Sequence, residues 1–576
     1  MKKKNKLTIL GVNGWKKQGH DASACLVVDN KILSFVEEER FIRKRYAFDV
    51  LPIHAIRYCL ESNNLTLADL DIIAFGWDKP ALYKLAGLNY PFSSDKELLK
   101  ELFPFNLSEI EAAKHLPKVE YVPHHIAHAA SAFRVSGFSE ASILVLDGQG
   151  EFGSGAMGYC DGDQIEFFET FPIEHSLGYF IEAACTFIGL KSSDAGKLMG
   201  LAAHGTPLYD FPEIVLTENG YIVEGLDAVS QKGELDKQKP IQAFWIDHFS
   251  KRFPHEKVQK KFTYSGTAGK VQEELILSQF SKDFAASAQR ALEKVVLHLV
   301  SVLVQKTGHR KVAYSGGVAL NCIANGRILT EKYADALYIQ PAANDAGVSL
   351  GAALEVAHQN GRANFPIMDH SYWGVGYSDE EIKKELQRLK IPHTLVSDIA
   401  RKTAQAIADG KIVGWFQEKM EIGPRALGAR SIVANPAIAE MHRTLNIIKS
   451  REQWRPLAPS VIGDRAGEYF EDACDSPFML LTHYVKKSKR KEVPAIVHVD
   501  GTARYQSVYK HNSPLYYRLI EEFEKLTGIP IILDTSFNIG GDPIVTTPEQ
   551  AIKTLYSSEI DCLAIGSYWV EKENKK

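Results

Sequence analysis

Two stretches far apart in the chain repeat one pattern. Lys6–Glu39 reads "KLTILGVNGWKKQGHDASACLVVDNKILSFVEEE" and Ala141–Phe171 reads "ASILVLDGQGEFGSGAMGYCDGDQIEFFETF". Each is a β-rich run, a Gly-rich loop, a second run, a tight Asp-Asn or Asp-Gly turn and a third run, which predicts a strand–hairpin meander. A duplication of this kind implies two similar halves facing each other across a cleft. Glycine loops in such an arrangement let backbone N–H groups approach phosphates. Two unrelated meanders are the alternative, since Asp-Gly hairpins are common.

After the second repeat, the segment from about 205 to 270 is charged and weakly patterned, and reads as an insertion. Phe284, Ala288, Leu292, Val295, Leu299 and Val302 then recur at helical spacing. They predict a long helix with Ser281 as N-cap and Gly308 as stop. A strand follows and enters "YSGGVALNCIANG", a further phosphate-type turn with Gly316 and Gly317 at the bend. "QPAANDAGVSLGAALEVA" sets Asp345 at the entrance of an alanine-rich helix. The periodic signal lapses near residue 365 and resumes with a capping box, Ser378 to Glu381. Two domains are expected, 1–365 and 366–576.

Of the 576 residues, 45% are hydrophobic and 24% charged, enough for more than one core. A net charge of −4 argues against a large nucleic-acid footprint. The seven cysteines are scattered and form no CxxC pair, so reduced thiols in the cytoplasm are the simplest reading. The basic start "MKKKNKLTILGVNG" is broken by Thr8, Gly11 and Asn13 and reads as a strand, not a signal peptide. No apolar run is long enough to span a bilayer.

"YVPHHIAHAASAF" holds three histidines. His124 and His128, spaced i, i+4, share one face of a helix beginning after Pro123 and suit two ligands of one divalent ion. His125 lies off that face. No glutamate follows the first histidine as in HExxH, so a zinc protease is disfavoured. A satisfied histidine pair at a helix start is the alternative. Asp147, ending the strand "ASILVLD", and Asp345 complete a His₂Asp₂ set, a mixed shell suited to Fe²⁺, Mn²⁺ or Zn²⁺ beside phosphates.

The motifs "GHDASACLV" with "EEERFIRKR", "HHIAHAASAF", "LDGQGE", "DAGKLMGLAAHG", "SGGVALNCIAN", "GPRALGARSI", "KSREQWRPLAPSV", "GTARYQSV" and "DTSFNIGGDPIVTTPEQAI" run in this order. Together they resemble the carbamoyltransferases of antibiotic and nodulation-factor biosynthesis, over nearly the whole chain. The resemblance implies an α/β protein. Its N-terminal domain would be a duplicated actin/Hsp70/sugar-kinase-like (Kae1-like) fold, and its C-terminal domain an α/β YrdC-like fold. It implies an iron-type metal site at His124, His128, Asp147 and Asp345, and it implies a homodimer. Three positions depart from the family pattern: His204, Trp454 and Asp534. Asp534 stands where asparagine is usual and adds a negative charge near the expected anion site.

Carbamoyl phosphate is a small, doubly charged anion and needs cations and planar donors. "KSREQWRPLAPS" supplies Lys449, Arg451 and Arg455, and the neighbouring motifs add Arg425 and Arg504. A solvated basic surface is the usual fate of such a run, but here the charges alternate with Trp454, Pro456, Leu457 and Pro459. Ser536 and Asn538 add donors. The resemblance assigns Arg425, Lys449, Arg455, Arg504, Ser536 and Asn538 to a carbamoyl phosphate pocket. It implies that carbamoyl phosphate and Mg-ATP give carbamoyl-adenylate there. The Kae1-like domain then passes the carbamoyl group to a hydroxyl of a small natural product. Gly148, Lys197, Gly316, Gly317 and Asn321 are candidate nucleotide contacts, and His20 is the candidate base for the acceptor hydroxyl. Alternatives are a tRNA threonylcarbamoyl-adenosine-type enzyme, a sugar or acetate kinase, and a nucleotide-binding regulator on the same fold. No nucleic-acid or membrane partner is expected.

Overall fold

The computed structural model describes residues 6–17, 19–226, 235–256, 259–265 and 270–572, and the side chains of 259–265 and 270–275 lie outside this description. The chain divides into two compact units. The first comprises residues 1–78, 91–138 and 339–576, and the second residues 79–90 and 139–338.

Unit 1 opens with the first repeat. Strands β1 (Thr8–Asn13), β2 (Ser23–Val28) and β3 (Lys31–Glu37) form the expected antiparallel meander. Strands β4 (Ile72–Phe75) and β5 (Lys118–Tyr121) add in parallel, giving the order β3-β2-β1-β4-β5. β1 and β2 are buried along their full length because helices cover the sheet. One of these, Val348–Gln359, is rich in small residues so that backbones can approach. A Cβ on Gly351 would fall 1.7 Å from the carbonyl oxygen of Ala127, in the helix His124–Phe133.

Unit 2 repeats the plan. Strands β6 (Ala141–Leu146), β7 (Gly155–Cys160) and β8 (Ile165–Phe171) form its meander. The expected insertion carries structure of its own. It holds a hairpin of β9 (Ile214–Thr217) and β10 (Gly220–Val223), a helix Gln238–Arg252, and a hairpin of β11 (Gln259–Ser265) and β12 (Lys270–Ile276). Residues 227–234, 257–258 and 266–269 of it lie outside the description. Strands β13 (Lys311–Ser315) and β14 (Ala336–Tyr338) complete the order β14-β13-β6-β7-β8, the same 3-2-1-4-5 plan as in unit 1. The long helix runs Gln279–Thr307 and ends at Gly308 as expected. Its cap is Ser278, whose side chain accepts the N–H of Ser281, so the helix starts one turn earlier than its apolar spacing suggests.

The C-terminal part of unit 1 is an eight-stranded mixed sheet built from β15 (Thr394–Leu395), β16 (Val413–Phe416), β17 (Arg430–Ala434), β18 (Ala458–Ile462), β21 (Gln506–Val508), β22 (Ile531–Ser536), β23 (Cys562–Ile565) and β24 (Tyr568–Glu571). The order is β15-β24-β23-β16-β17-β22-β18-β21, and β19 (His483–Tyr484) and β20 (Thr502–Ala503) pair separately. Alternation along β16 sends Val413 and Trp415 into one apolar layer with Leu519 and Phe523, and Phe416 into another with Leu445 and Leu555. The capping box Ser378–Glu381 is present. The duplicated sheets and this third sheet are the α/β architecture expected. No described helix is long and apolar enough to cross a membrane.

Candidate functional site

The helix His124–Phe133 starts directly after Pro123, so His124 and His128 project from successive turns. His124 Nε2 and His128 Nε2 are 3.1 Å apart, and each lies 3.4 Å from Asp345 Oδ1. All three side chains are buried. Asp345 is held at the start of a 3-10 turn, and Gln340 braces the chain before it through paired bonds with Ala342 of 2.6 and 2.7 Å. His124 Nδ1 is 3.0 Å from the carbonyl oxygen of Gly76, and the ring packs on Trp77. That carbonyl can only accept, so Nδ1 carries the proton and Nε2 presents its lone pair to the cluster. Two imidazole nitrogens and one carboxylate oxygen converging in a buried place suit a divalent ion.

His20 lies in the loop between β1 and β2, about half exposed, with Nδ1 3.0 Å from Asp21 Oδ2. Asn13 Nδ2 donates to the carbonyls of His20 and Asp21, and the Asp21 N–H donates to Tyr46 at 2.5 Å. Burial raises the Asp21 carboxyl above its ordinary range. His20 offsets this, and the charges of Asp345 and Glu39 add to the rise. A carboxylate orienting an imidazole is a base–orienter pair. Asp21 escaped the sequence analysis, although an acid directly after a candidate base was the visible signal.

In unit 2, Asp147 directly follows β6 and is buried. Its Oδ1 accepts the N–H of Gly317 at 2.9 Å. Gly316 turns at φ +94°, bringing this loop against the end of β6. The Gly317 donor expected for phosphate is therefore engaged with Asp147. Asn321 caps the helix Cys322–Thr330 and exchanges two bonds with Gln289, 2.9 and 3.0 Å, because an Asx side chain at that position finds an orphan N–H. Lys197 lies on the helix Ala195–Ala202, 3.2 Å from Asp194, and Met199 of that helix touches Cys322. Gly148 follows Asp147 and abuts the ring of Tyr179.

The third group belongs to the C-terminal sheet. Lys449 follows the helix Met441–Ile448 and is buried. Its Nζ bonds the carbonyl and Oγ of Ser536 and the carbonyl (3.0 Å) and Oδ1 (2.8 Å) of Asn538. Burial, then the charges of Arg451 and Arg455, push its pKa well down. Arg451 bonds Asn446 at 2.6 Å and is pushed down to about 9 by burial and by Arg455, with Arg504 adding to the effect. Arg455 faces Glu452 at 3.9 Å. Arg504 has a buried Nε without a hydrogen-bond partner among the described residues. Crowded, desolvated cations of this kind are relieved by an oxyanion. Arg425 sits two residues beyond Gly423, at which φ is +87° and a Cβ would meet the carbonyl of Pro341 at 2.4 Å, so only glycine fits that turn.

Asp534 reaches this group through its charge, which partly offsets the fall in the Lys449 pKa. It is buried in β22, accepting from Tyr516 Oη at 2.7 Å and Ser460 Oγ at 3.2 Å, and burial pushes its carboxyl up to about 7.

Family models describe the two halves separately: residues 8–354 match the carbamoyltransferase N-terminus and residues 404–572 the carbamoyltransferase C-terminus. The chain is 35% identical to the nodulation protein NolNO of Sinorhizobium fredii, covering 96% of this chain and 79% of that protein. It is 36% identical to the nodulation protein NolO of Bradyrhizobium diazoefficiens, over 78% of each. Identity to the 3'-hydroxymethylcephem-O-carbamoyltransferase of Streptomyces clavuligerus is 26%, over 96% of this chain and 98% of that enzyme. The chain belongs to the carbamoyltransferase family.

Proposed function

We propose that this carbamoyltransferase is an ATP-dependent O-carbamoyltransferase working in two steps, with residues 366–576 making carbamoyl-adenylate and residues 1–365 transferring the carbamoyl group. The observation that carries this reading is the crowding of Lys449, Arg451, Arg455 and Arg504 beside Ser536 and Asn538. A doubly charged acyl phosphate would relieve their mutual repulsion, and Arg425 is the further cation assigned to it.

One water takes the phosphoryl group of carbamoyl phosphate there, leaving inorganic phosphate and carbamate; the carbamate oxygen then bonds to the α-phosphorus of ATP as the bond to pyrophosphate breaks. The mixed anhydride must stay out of water, which the buried donors favour. In the transfer step the acceptor oxygen forms a bond to the carbamoyl carbon as the bond to AMP breaks. His20, oriented by Asp21, takes the hydroxyl proton. Gly148, Lys197, Gly316, Gly317 and Asn321 are assigned to the nucleotide. His124, His128 and Asp345 would hold a divalent ion, Fe²⁺ or alternatively Mn²⁺ or Zn²⁺. When bound, its charge offsets that on departing AMP. A hydroxylated small natural product is the acceptor class proposed, and the name of the 3'-hydroxymethylcephem-O-carbamoyltransferase relative supports it.

The test is ATP–pyrophosphate exchange on purified protein without acceptor. Exchange that requires carbamoyl phosphate and disappears in Arg504→Ala is expected. Exchange absent from folded, ATP-binding, metal-replete protein refutes the adenylate step.

A further inference from the structure

In the charged run Glu37–Tyr46, Glu37, Glu38 and Arg40 are buried, and the bonds of the run lead to the loops just described. Arg40 is 4% exposed. It bonds Glu37 at 2.8 and 3.2 Å, Glu39 at 2.8 Å and the carbonyl of Gly423 at 2.7 Å. The Gly423 N–H returns a bond to Glu37 at 3.1 Å, so the turn leading to Arg425 is gripped from both sides. The Arg40 carbonyl accepts from Thr546 Oγ1 at 3.0 Å.

Three residues on, Arg43 takes φ +56° and drives its guanidinium into the loop after β22. Nη1 donates to Ile544 and Nη2 to Pro543, both at 2.6 Å. The carbonyl of the preceding residue, Asp542, accepts from Asn538 Nδ2 at 2.5 Å, and Asn538 Oδ1 accepts from Lys449. A short chain of hydrogen bonds therefore runs from Arg43 through the loop backbone to the Lys449 ammonium. The other end of the strap fixes the base loop. Glu39 accepts the Tyr46 N–H at 2.7 Å, Tyr46 accepts the Asp21 N–H, and the Glu38 N–H donates to Ala22 at 2.8 Å.

Joining these segments for cohesion alone would not call for this chemistry. Buried arginines carry a desolvation cost that apolar contacts avoid, so they contribute little net stability. They do fix geometry, because a guanidinium fork aimed at two consecutive carbonyls allows one arrangement of the loop. We propose that Arg43, with Arg40 behind it, is a positioning residue for carbamoyl phosphate. It sets Asn538 and Lys449 from the same strap that holds His20 and Asp21. The proposal rests on the adenylate-forming reading given above.

The experiment is carbamoyl-phosphate-dependent ATP–pyrophosphate exchange by the full chain, comparing wild type, Arg43→Met and Arg43→Lys, with thermal melting alongside. Losing both charge-assisted bonds is expected to raise the KM for carbamoyl phosphate about 10-fold, with the KM for ATP and the saturated rate each within about twofold. Arg43→Lys, keeping one donor, is expected to fall between. A lowered Tm with an unchanged KM for carbamoyl phosphate would show a merely structural arginine and overturn the proposal. Should Arg43→Met fail to fold, Thr546→Val removes a single hydroxyl contact of the strap and is expected to raise that KM about threefold. An unaltered KM there overturns the proposal equally. Wild type without exchange would sink the adenylate reading instead. The strap is then read by inorganic phosphate raising the Tm of wild type but not of Arg43→Met, and equal protection, or none in either, overturns it.

Discussion

Replacing Asp534 by asparagine should stabilise this protein at alkaline pH and do little in acid. The carboxyl lies in β22 within the C-terminal sheet, close to Glu421 and under the hydroxyls of Tyr516 and Ser460. Burial, the largest cause, pushes it up to about 7 from an ordinary 3.8. At about 1.4 kcal/mol for each tenfold change in proton affinity, ionising it in place costs the fold roughly 4 kcal/mol. The sign follows from proton counting. Between about pH 4 and 7 the folded chain binds this proton and the unfolded chain has released it, so stability falls as pH rises through that window and then levels. An asparagine keeps an acceptor for both hydroxyls and carries no charge at any pH. Urea unfolding of Asp534→Asn and wild type at pH 4.5 and pH 8, followed by tryptophan fluorescence, checks this, since Trp415 is buried in the same sheet. The variant should gain up to roughly 4 kcal/mol over wild type at pH 8 and match it at pH 4.5. Equal loss of stability in the two chains across that range would refute the assignment of a buried, proton-binding carboxyl.

Other substitutions separate the parts of the site. His20→Gln should leave carbamoyl-phosphate-dependent exchange within about threefold while slowing acceptor-dependent AMP release about 10²–10⁴-fold; a parallel fall in both would remove His20 from the transfer step. In Gly351→Ala the new methyl meets the Ala127 carbonyl and must push the histidine helix away from the helix Val348–Gln359, which follows the Asp345 turn. Metal affinity, read by chelator competition and elemental analysis, should drop at least about 10-fold. His124→Ala should leave purified protein with less than about a tenth of the wild-type metal content, and full retention would argue that the ion sits elsewhere.

Local pattern carried the sequence analysis as far as local forces reach. The meanders, the Gly308 stop, the Ser378–Glu381 box and the shared face of His124 and His128 all depend on neighbours a few positions apart. Ser278 was missed because the cap is decided by one side-chain bond, whereas apolar spacing marks only the buried turns. The contacts of Arg40 and Arg43 were not legible in the sequence because they depend on Gly423, Pro543 and Ile544, hundreds of positions away. Lys449, Ser536 and Asn538 were assigned together by family resemblance; nothing in their spacing announces that one ammonium bonds both partners. The charge of Asp534 was visible and its protonation was not, since that depends on how deeply β22 is buried.

The ordering of unit 1 along the chain has a consequence for biosynthesis. Strands β1 to β4 leave the ribosome early, but the helix Val348–Gln359 that covers them belongs to the far side of residues 139–338. Until that helix is made, apolar strands wait without their cover, while the bulk of unit 2, contiguous in sequence, can already close. Pairings across such a separation form slowly and leave edges open to aggregation. A chain interrupted before residue 339 is thus a candidate for chaperone capture, and synthesis of the helix Val348–Gln359 is what releases it.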